Sequence, residues 1–266
     1  MSPAAPPPLT EPLPLSAEAP NLREISGYDT LDGRRIARGR LYRSDQLNYL
    51  SAAELSRLKA LGVRTIVDLR LATERERHVS PDWPDASVVI ADVLRDFVCD
   101  AEGLPPDGVE RLRNGDGAGM MCDIYRSLVE LPCAQQGYSQ LLEAILTCDG
   151  ATLFHCSAGQ DRTGWGAALV LRLLGVPDEH IKRDYLLSVS RLARKHARLL
   201  AEDVERYKHS GITEGALAPL FWVRAEYLDA AFEHANRLHG SFERYVEQAL
   251  GMDARGVERL RQRLLE

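Results

Sequence analysis

The order of hydrophobic and polar residues over 50–62 is typical of a short amphipathic helix. Leucines recur in this segment, LSAAELSRLKALG, with small and charged residues between them. The hydroxyl of Ser51 can accept a hydrogen bond from the backbone N–H of Glu54, three residues on, which caps a helix start. Gly62 supplies the residue at which helices commonly stop. The pattern therefore predicts a helix between Ser51 and Gly62.

Two segments on either side of residue 80 have the composition of strands. VRTIVDLR (63–70) and ASVVIADV (86–93) are rich in β-branched residues, whose side chains fit a pleated sheet. Apolar runs of this length predict two buried strands. Upstream, Asp32-Gly33 supplies the positive φ that a tight turn needs, so TLDGRRI (30–36) predicts a hairpin.

The middle of the chain returns to helices around one more strand. Glycine, proline and aspartate concentrate in residues 99–118, which are predicted to form a loop. Helices are predicted from Met120 to Val129 and from Ala134 to Leu146. ATLFHC (151–156) predicts a short apolar strand, and TGWGAALVLRLLG (163–175) an apolar helix. A polar loop containing a glycine joins that strand to that helix.

The sequence beyond Pro177 has a helical pattern throughout. Helices are predicted over 177–188 and 191–209, followed by two or three more up to Glu266. Strands that alternate with helices, followed by an all-helical stretch, indicate an α/β fold. We expect helices on both sides of a central sheet and a C-terminal helical subregion over about 177–266.

The first 20 residues differ in composition from the rest. They contain seven of the 14 prolines, a density that blocks helices and sheet ladders and favours extended polyproline II. Residues 1–20 are therefore predicted to be a disordered proline-rich tail. Residues 21–266 are predicted to form one globular domain.

Charge and hydropathy exclude several classes of partner. The 266 residues contain 33 Lys and Arg against 39 Asp and Glu, which gives a net charge of −6. A chain this acidic lacks the positive field that nucleic-acid binding needs, so no nucleic-acid partner is expected. No run of about 18 uncharged apolar residues occurs, so we expect no stable insertion into a membrane.

The cysteines indicate a reducing compartment. Their number, five, is odd and no C-x-x-C pair occurs, which argues against a disulfide framework and against a zinc or iron–sulfur site. The N-terminus has no charged segment followed by an apolar one, as a secretory signal would. We expect a cytoplasmic location and neither metal nor other cofactor. The four cysteines other than Cys156 are expected to be inert core thiols.

The residues that carry chemistry lie in HCSAGQDRTG (155–164). Cys156 and Arg162 stand six positions apart between a predicted strand and a predicted helix, so the loop between them can curl around one tetrahedral oxyanion. The loop N–H groups, the helix N-terminus and the guanidinium all favour that anion. A positive field of this kind also favours the thiolate form of a cysteine. Gly159 permits a bend that other residues resist, and Thr163 places a hydroxyl where it could hydrogen-bond the thiolate.

This segment resembles the phosphate-binding loop (P-loop) of cysteine-based phosphatases, specifically the bacterial tyrosine/lipid phosphatase family, in which it typically reads H-C-x-A-G-K-D-R-T-G. Residues 21–47 are similar to that family's N-terminal N-[LF]-R pattern. TIVDLRLATERE (65–76) is similar to its D-L-R-x-x-x-E block, and residues 224–252 to its C-terminal helices. Four blocks in matching order cover nearly the whole globular chain. The resemblance implies a cysteine-phosphatase-like catalytic domain.

The resemblance and the chemistry together imply roles for the loop residues. Cys156 is the nucleophile that forms a phosphocysteine intermediate, and Arg162 binds phosphate and stabilises the transition state. Asp161 is the candidate general acid and then the base for water. The alternative for Asp161 is a carboxylate that only stabilises the loop. Phosphate binding is expected from the rest of the loop: Ser157, Ala158, Gly159, Gln160, Thr163 and Gly164.

Asp68 is the rival for the role of general acid. It ends a predicted strand in the D-L-R block, at the edge where ligands of open α/β sheets bind. The alternative for Asp68 and Arg70 is an ion pair that braces this edge. His155 is expected to orient the loop rather than to transfer protons, and Arg43 and Ser44 to support it.

The sequence departs from the family pattern at three positions. Gln160 replaces the usual Lys, and Glu24 and Ser26 replace the usual Asp and first Gly of the N-terminal block. The lost cation should weaken attraction for multiply charged head groups. We therefore expect a protein-tyrosine phosphatase, with dual specificity as an extension. The alternatives are a phosphoinositide or other small-phosphoester phosphatase and, disfavoured by the complete Cys, Asp and Arg set, a non-catalytic phosphate-binding module.

Overall fold

The computed structural model describes residues 15–99 and 103–266. Within them one sheet contains the strands β1 (Arg23–Glu24), β2 (Leu41–Ser44), β3 (Val63–Asp68), β4 (Ser87–Ile90) and β5 (Ala151–His155). Their order across the sheet is β1-β2-β5-β3-β4. β1 runs antiparallel to β2, whereas β2, β5, β3 and β4 are parallel. The carboxyl ends of these four strands therefore meet at one edge of the sheet.

Helices account for most of the remaining described residues. The first six are α1 (Ala52–Ala60), α2 (Ala72–Arg77), α3 (Gly108–Arg113), α4 (Gly117–Glu130), α5 (Pro132–Thr147) and α6 (Arg162–Leu173). The C-terminal ones are α7 (Asp178–Tyr207), α8 (Glu214–Phe221), α9 (Ala225–His239), α10 (Phe242–Gln248) and α11 (Ala254–Leu264). In the part of the chain that the structure describes, no helix combines the length and the hydropathy of a membrane span.

The sheet is covered on both faces because successive side chains of a strand point to opposite sides. On β5, Leu153 joins a small apolar cluster that includes Leu58 of α1. Its neighbour Phe154 joins the main core with Leu141 of α5 and Trp165 of α6. The predicted central sheet with flanking helices is confirmed.

The turn and capping signals are confirmed as well. The Ser51 hydroxyl accepts from the backbone N–H of Glu54 at 3.4 Å, at the start of α1. Gly62 follows this helix with φ of +75°. The hairpin at Asp32-Gly33 closes with a 2.9 Å bond from the backbone N–H of Thr30 to the carbonyl of Arg34.

The prediction that 86–93 is a buried strand is wrong. β4 covers only Ser87–Ile90 and lies at the end of the sheet, where β3 is its one neighbour among the described strands. Val88 is 51% exposed and Ile90 46%. A β-branched run of this kind fits an edge strand as well as a central one, because β propensity carries no information on the number of neighbours.

Three expectations about helices also need correction. The predicted loop 99–118 contains α3, whose Leu112 is buried against α4 and α8 in a small apolar cluster. The two helices predicted over 177–188 and 191–209 are one helix, α7, because no Gly or Pro interrupts the segment between them. Four helices follow α7 rather than two or three.

Part of the predicted N-terminal tail is packed against the domain. Ala19 is fully buried and Ser16 nearly so. Leu15 packs against the same small cluster as Ala19, and its backbone N–H donates to the carbonyl of Leu22 at 3.3 Å. The apolar residues near the end of the proline-rich segment therefore extend the domain to residue 15. The rest of the predicted tail, residues 1–14, lies outside the described residues.

Candidate active site

The cysteine-containing loop lies where three parallel strands end. β5 ends at His155 and α6 begins at Arg162, so residues 156–161 span the gap between them. β2 and β3 flank β5 and end at Ser44 and Asp68 at the same level. This edge is where open parallel sheets bind ligands.

Close contact with β2 bends the loop. Gly159 has φ of +66°, and a Cβ at this position would stand 2.3 Å from the carbonyl oxygen of Ser44. No residue with a side chain fits there, which is the physical reason for the glycine. The backbone N–H of Gln46 donates to the carbonyl of Ser157 at 3.2 Å and fixes the start of the bend.

The carbonyl groups of the loop point outward into the protein. Asn21 donates from Nδ2 to the carbonyls of Ala158 and Gly159, both at 2.9 Å. Arg43 donates to the carbonyl of Gly159 at 2.8 Å. By contrast, the backbone N–H groups of residues 157–160 have no hydrogen-bond partner among the described residues. N–H groups left together in this way form a concave site for an anion.

A buried ion cluster holds the outer side of the loop. Asp184 of α7 pairs with Arg43 at 2.6 Å and with Arg23 at 3.1 Å, and all three side chains are excluded from solvent. Arg23 also donates to the Asn21 side-chain oxygen at 2.6 Å. Burial raises the pKa of Asp184, but the two guanidinium groups outweigh it and hold the pKa at about 2. The expected support of the loop by Arg43 is present in this geometry.

Arg162 is held by a carboxylate that the sequence analysis did not single out. Its two terminal nitrogens donate to the two oxygens of Glu74 at 2.5 and 2.8 Å. The Ser157 hydroxyl donates to the same carboxylate at 2.5 Å. Burial raises the pKa of Glu74, but the hydrogen bonds and charge of Arg162 dominate and lower it to about 2.

Asp161 stands beside a pair of buried tyrosines. The Tyr125 hydroxyl donates to one oxygen of Asp161 at 2.9 Å and lies 2.6 Å from the Tyr185 hydroxyl. The Gln160 amide makes a longer contact, 3.4 Å, with the other oxygen. Burial raises the pKa of Asp161, although the Tyr125 hydrogen bond and the Arg162 charge oppose the shift. A carboxyl with a raised pKa is suited to donating a proton.

Cys156 itself is almost completely buried at the base of the loop. The Tyr138 hydroxyl donates to the carbonyl of Arg162 at 3.0 Å, which fixes the first turn of α6 beside it. The Thr163 hydroxyl is buried without a hydrogen-bond partner among the described residues. The expected hydrogen bond from Thr163 to the thiolate is therefore not made.

Asp68 forms the ion pair with Arg70 that was considered above as the alternative to a role as general acid. Arg70 binds it with both Nε and Nη2, at 2.9 and 2.6 Å, and also donates to the carbonyl of His78 at 2.8 Å. His155 places Nε2 3.8 Å from Asp68 and Nδ1 3.1 Å from the carbonyl of Cys156. Burial lowers the pKa of His155. This geometry favours a bracing role for all three side chains.

The structure thus brings together the predicted loop residues and adds side chains that the sequence did not predict, among them Asn21, Arg23, Glu74, Tyr125 and Asp184. A signal existed for three of them, since Asn21 and Arg23 belong to the N-L-R pattern and Glu74 is the last residue of the D-L-R-x-x-x-E block. Tyr125 and Asp184 carried no sequence signal. They reach the site only because α4 and α7 pack beside α6.

Comparisons with known proteins agree on one family. A model of the tyrosine phosphatase family matches residues 15–266. One relative is a protein of Cupriavidus necator whose name describes it as a tyrosine-protein phosphatase. It is 34% identical to this chain over 237 residues, which cover 88% of this chain and 82% of the relative. The triple specificity protein phosphatase PtpB of Mycobacterium tuberculosis is 30% identical over 275 residues, 92% of this chain and 96% of the relative.

A solved structure is also similar, at a lower level. The P. aeruginosa protein TpbA, in complex with pTyr, covers 76% of this chain and 90% of its own with 19% sequence identity. The TM-score is 0.31, too low for this likeness to carry weight.

Proposed function

Because the chain belongs to the tyrosine phosphatase family, we propose that it hydrolyses phosphotyrosine in proteins through a covalent phosphocysteine at Cys156. The protein is a protein-tyrosine phosphatase. What we propose is which residues carry out the reaction and which range of substrates the protein accepts. The observation that carries it is the loop between β5 and α6. In this loop the N–H groups of residues 157–160, which have no partner among the described residues, stand in the chain between Cys156 and Arg162, the arrangement that would bind one phosphoryl group.

Binding of the phosphoryl group uses charge that the chain supplies itself. The N–H groups of residues 157–160 would donate to its oxygens, and the N-terminus of α6 adds the positive end of a helix dipole. Arg162 adds a fixed cation with planar donors. No step needs a metal ion, because these groups stabilise the charge on the equatorial oxygens.

In the first step the Cys156 thiolate attacks phosphorus opposite the phenolic oxygen. The S–P bond forms while the P–O bond breaks, and the electron pair of that bond goes to the leaving oxygen. Asp161 donates its proton to this oxygen, so tyrosine leaves neutral. In the second step Asp161 removes a proton from water, which attacks phosphorus and releases inorganic phosphate and the thiolate.

The site favours phosphotyrosine over phosphoinositides. Gln160 is buried, and its amide nitrogen turns towards Asp161. This position therefore offers no cation to a second phosphate group of a head group. The relative named a triple specificity protein phosphatase supports a substrate range wider than phosphotyrosine, and dual specificity is part of this proposal. A cytoplasmic location stays a prediction from the cysteines.

The experiment is phosphate release from a panel of phosphotyrosine, phosphoserine and phosphothreonine peptides and phosphoinositide vesicles, with Cys156→Ser as the blank. We expect the highest kcat/KM on phosphotyrosine peptides. Higher kcat/KM on the vesicles would replace this proposal with the lipid alternative. Phosphate binding without release from any substrate would indicate the non-catalytic module.

A further inference from the structure

The carboxylate of Glu74 is fully used by four donors. Arg162 donates from Nη1 to Oε2 at 2.5 Å and from Nη2 to Oε1 at 2.8 Å. The Ser157 hydroxyl donates to Oε1, and the backbone N–H of Leu71 donates to Oε2 at 2.8 Å. A carboxylate has about four acceptor positions, so this one has no capacity for a further partner. Glu74 therefore links its own helix, α2, to both ends of the phosphate-binding loop.

This contact determines how much of Arg162 remains for substrate. A guanidinium has five N–H donors in a fixed planar fork. The fork with Glu74 uses one N–H of each terminal nitrogen, which leaves the Nε–H and one N–H on each terminal nitrogen. Because the group is planar, holding one edge sets the direction of the other edge. Glu74 thus determines where the remaining donors of Arg162 point.

We propose that Glu74 is a positioning residue for phosphate recognition. It orients Arg162 so that the edge formed by Nε and Nη2 faces the phosphoryl group, and it fixes Ser157 at the other end of the loop. The inference rests on the proposed phosphatase function. The opposite role, in which the Glu74 carboxylate competes with phosphate for Arg162, predicts the reverse change in anion affinity.

A test of this role should remove the charge of the Glu74 side chain and keep its size. Glu74→Gln keeps the volume, and a glutamine at the third position of α2 can still accept from the N–H of Leu71. Its amide NH2 would face the guanidinium, so the two-point contact with Arg162 is lost. Glu76→Gln is the matched control, because Glu76 lies on the same helix and is exposed to solvent.

The experiment compares steady-state kinetics and orthovanadate inhibition of the full chain and these two variants. In Glu74→Gln we expect kcat/KM to fall roughly 10- to 100-fold, the range for losing hydrogen bonds to a charged group. The KM and the inhibition constant of orthovanadate should both rise. The loss should be equal on phosphotyrosine and on nitrophenyl phosphate, since Arg162 acts on the phosphoryl group and not on the leaving group. Glu76→Gln should match the wild type.

Two results would overturn the inference. Tighter orthovanadate binding in Glu74→Gln would assign the competing role, and kinetics equal to Glu76→Gln would leave Glu74 without a role. If circular dichroism shows Glu74→Gln unfolded, Glu74→Asp gives the same test with a smaller expected loss, because the charge stays and the reach shortens. Calorimetric titration of the wild type with inorganic phosphate separates the two proposals. A wild type that neither binds phosphate nor hydrolyses phosphotyrosine contradicts the proposed function, whereas an active wild type with unchanged kinetics in Glu74→Gln contradicts only the inference about Glu74.

Discussion

The two oxygens of the Asp161 carboxylate have different surroundings. One accepts the 2.9 Å hydrogen bond of Tyr125, and the other has a 3.4 Å contact with the Gln160 amide. Burial raises the pKa of Asp161, and the Tyr125 hydrogen bond and the Arg162 charge oppose the shift. One oxygen is therefore held by a short hydrogen bond, and the other, which has only the longer contact, is the one proposed to carry a proton to the leaving group.

The role of Asp161 can be separated from that of Asp68 by leaving-group dependence. A phenol with a pKa of about 10 needs a proton when it leaves, whereas a nitrophenol does not. Asp161→Asn should slow phosphotyrosine hydrolysis by roughly 10²- to 10⁴-fold, the usual range for acid–base catalysis. Nitrophenyl phosphate should be affected much less. Equal loss on both substrates, with the leaving-group effect in Asp68→Asn instead, would transfer the role to Asp68.

Tyr125 should tune the pH at which Asp161 works. Its hydrogen bond stabilises the charged carboxylate and so lowers the pKa of Asp161 against the raising effect of burial. Tyr125→Phe removes that bond, so the pKa should rise further. Because a general acid acts in its protonated form, the basic limb of the kcat profile should move to higher pH. A basic limb that stays in place or moves to lower pH would contradict this assignment.

At the scale of elements, three separate segments meet behind the loop. β1 supplies Arg23, β2 supplies Arg43 and α7 supplies Asp184, and the three side chains form a buried ion cluster. Removing one member of such a cluster leaves buried charges without partners. The loop carbonyls that Arg43 and Asn21 hold would then lose their support.

Asp184→Asn should therefore destabilise the protein strongly. The expected loss in the free energy of unfolding is about 3–5 kcal/mol, the cost of breaking a buried ion pair from one side. Thermal unfolding monitored by circular dichroism measures it. Asp178→Asn, near the start of the same helix, removes an exposed carboxylate paired with Arg172 and should change stability by less than about 1 kcal/mol. If Asp184→Asn lowers the free energy of unfolding as little as Asp178→Asn does, the buried ion cluster adds no stability.

Local signals in the sequence predicted local structure, and contacts between distant segments escaped them. The strand, loop and helix from 151 to 175 form one continuous piece of chain. The spacing of Cys156 and Arg162, together with the residues around them and the strand–loop–helix context, therefore predicted the loop. The hydrogen-bonded residues Arg162 and Glu74 are 88 positions apart in the sequence. The periodicity of hydrophobic residues gives no information on contacts between segments so far apart. The prediction that β4 is buried failed for the same reason, because the edge position of this strand depends on the order of the five described strands.

In the molecule as a whole, the proposed phosphate-binding loop is supported from both sides of the sheet edge. The α2 segment holds Arg162 through Glu74 on one side, and the N-terminal strands and α7 hold the loop carbonyls on the other. The family resemblance predicted the domain and its chemistry because the motif blocks match in order. It did not report which side chains hold the loop, because those contacts depend on tertiary packing.

The proposed mechanism requires a covalent phosphoryl intermediate on Cys156. The most direct measurement is mass spectrometry of the protein acid-quenched during turnover of a phosphotyrosine peptide, followed by mapping of the modified segment. We expect one added phosphoryl group on the peptide that contains Cys156, and neither adduct nor turnover in Cys156→Ser. A wild type that turns over without any adduct, together with substantial turnover in Cys156→Ser, would contradict this mechanism.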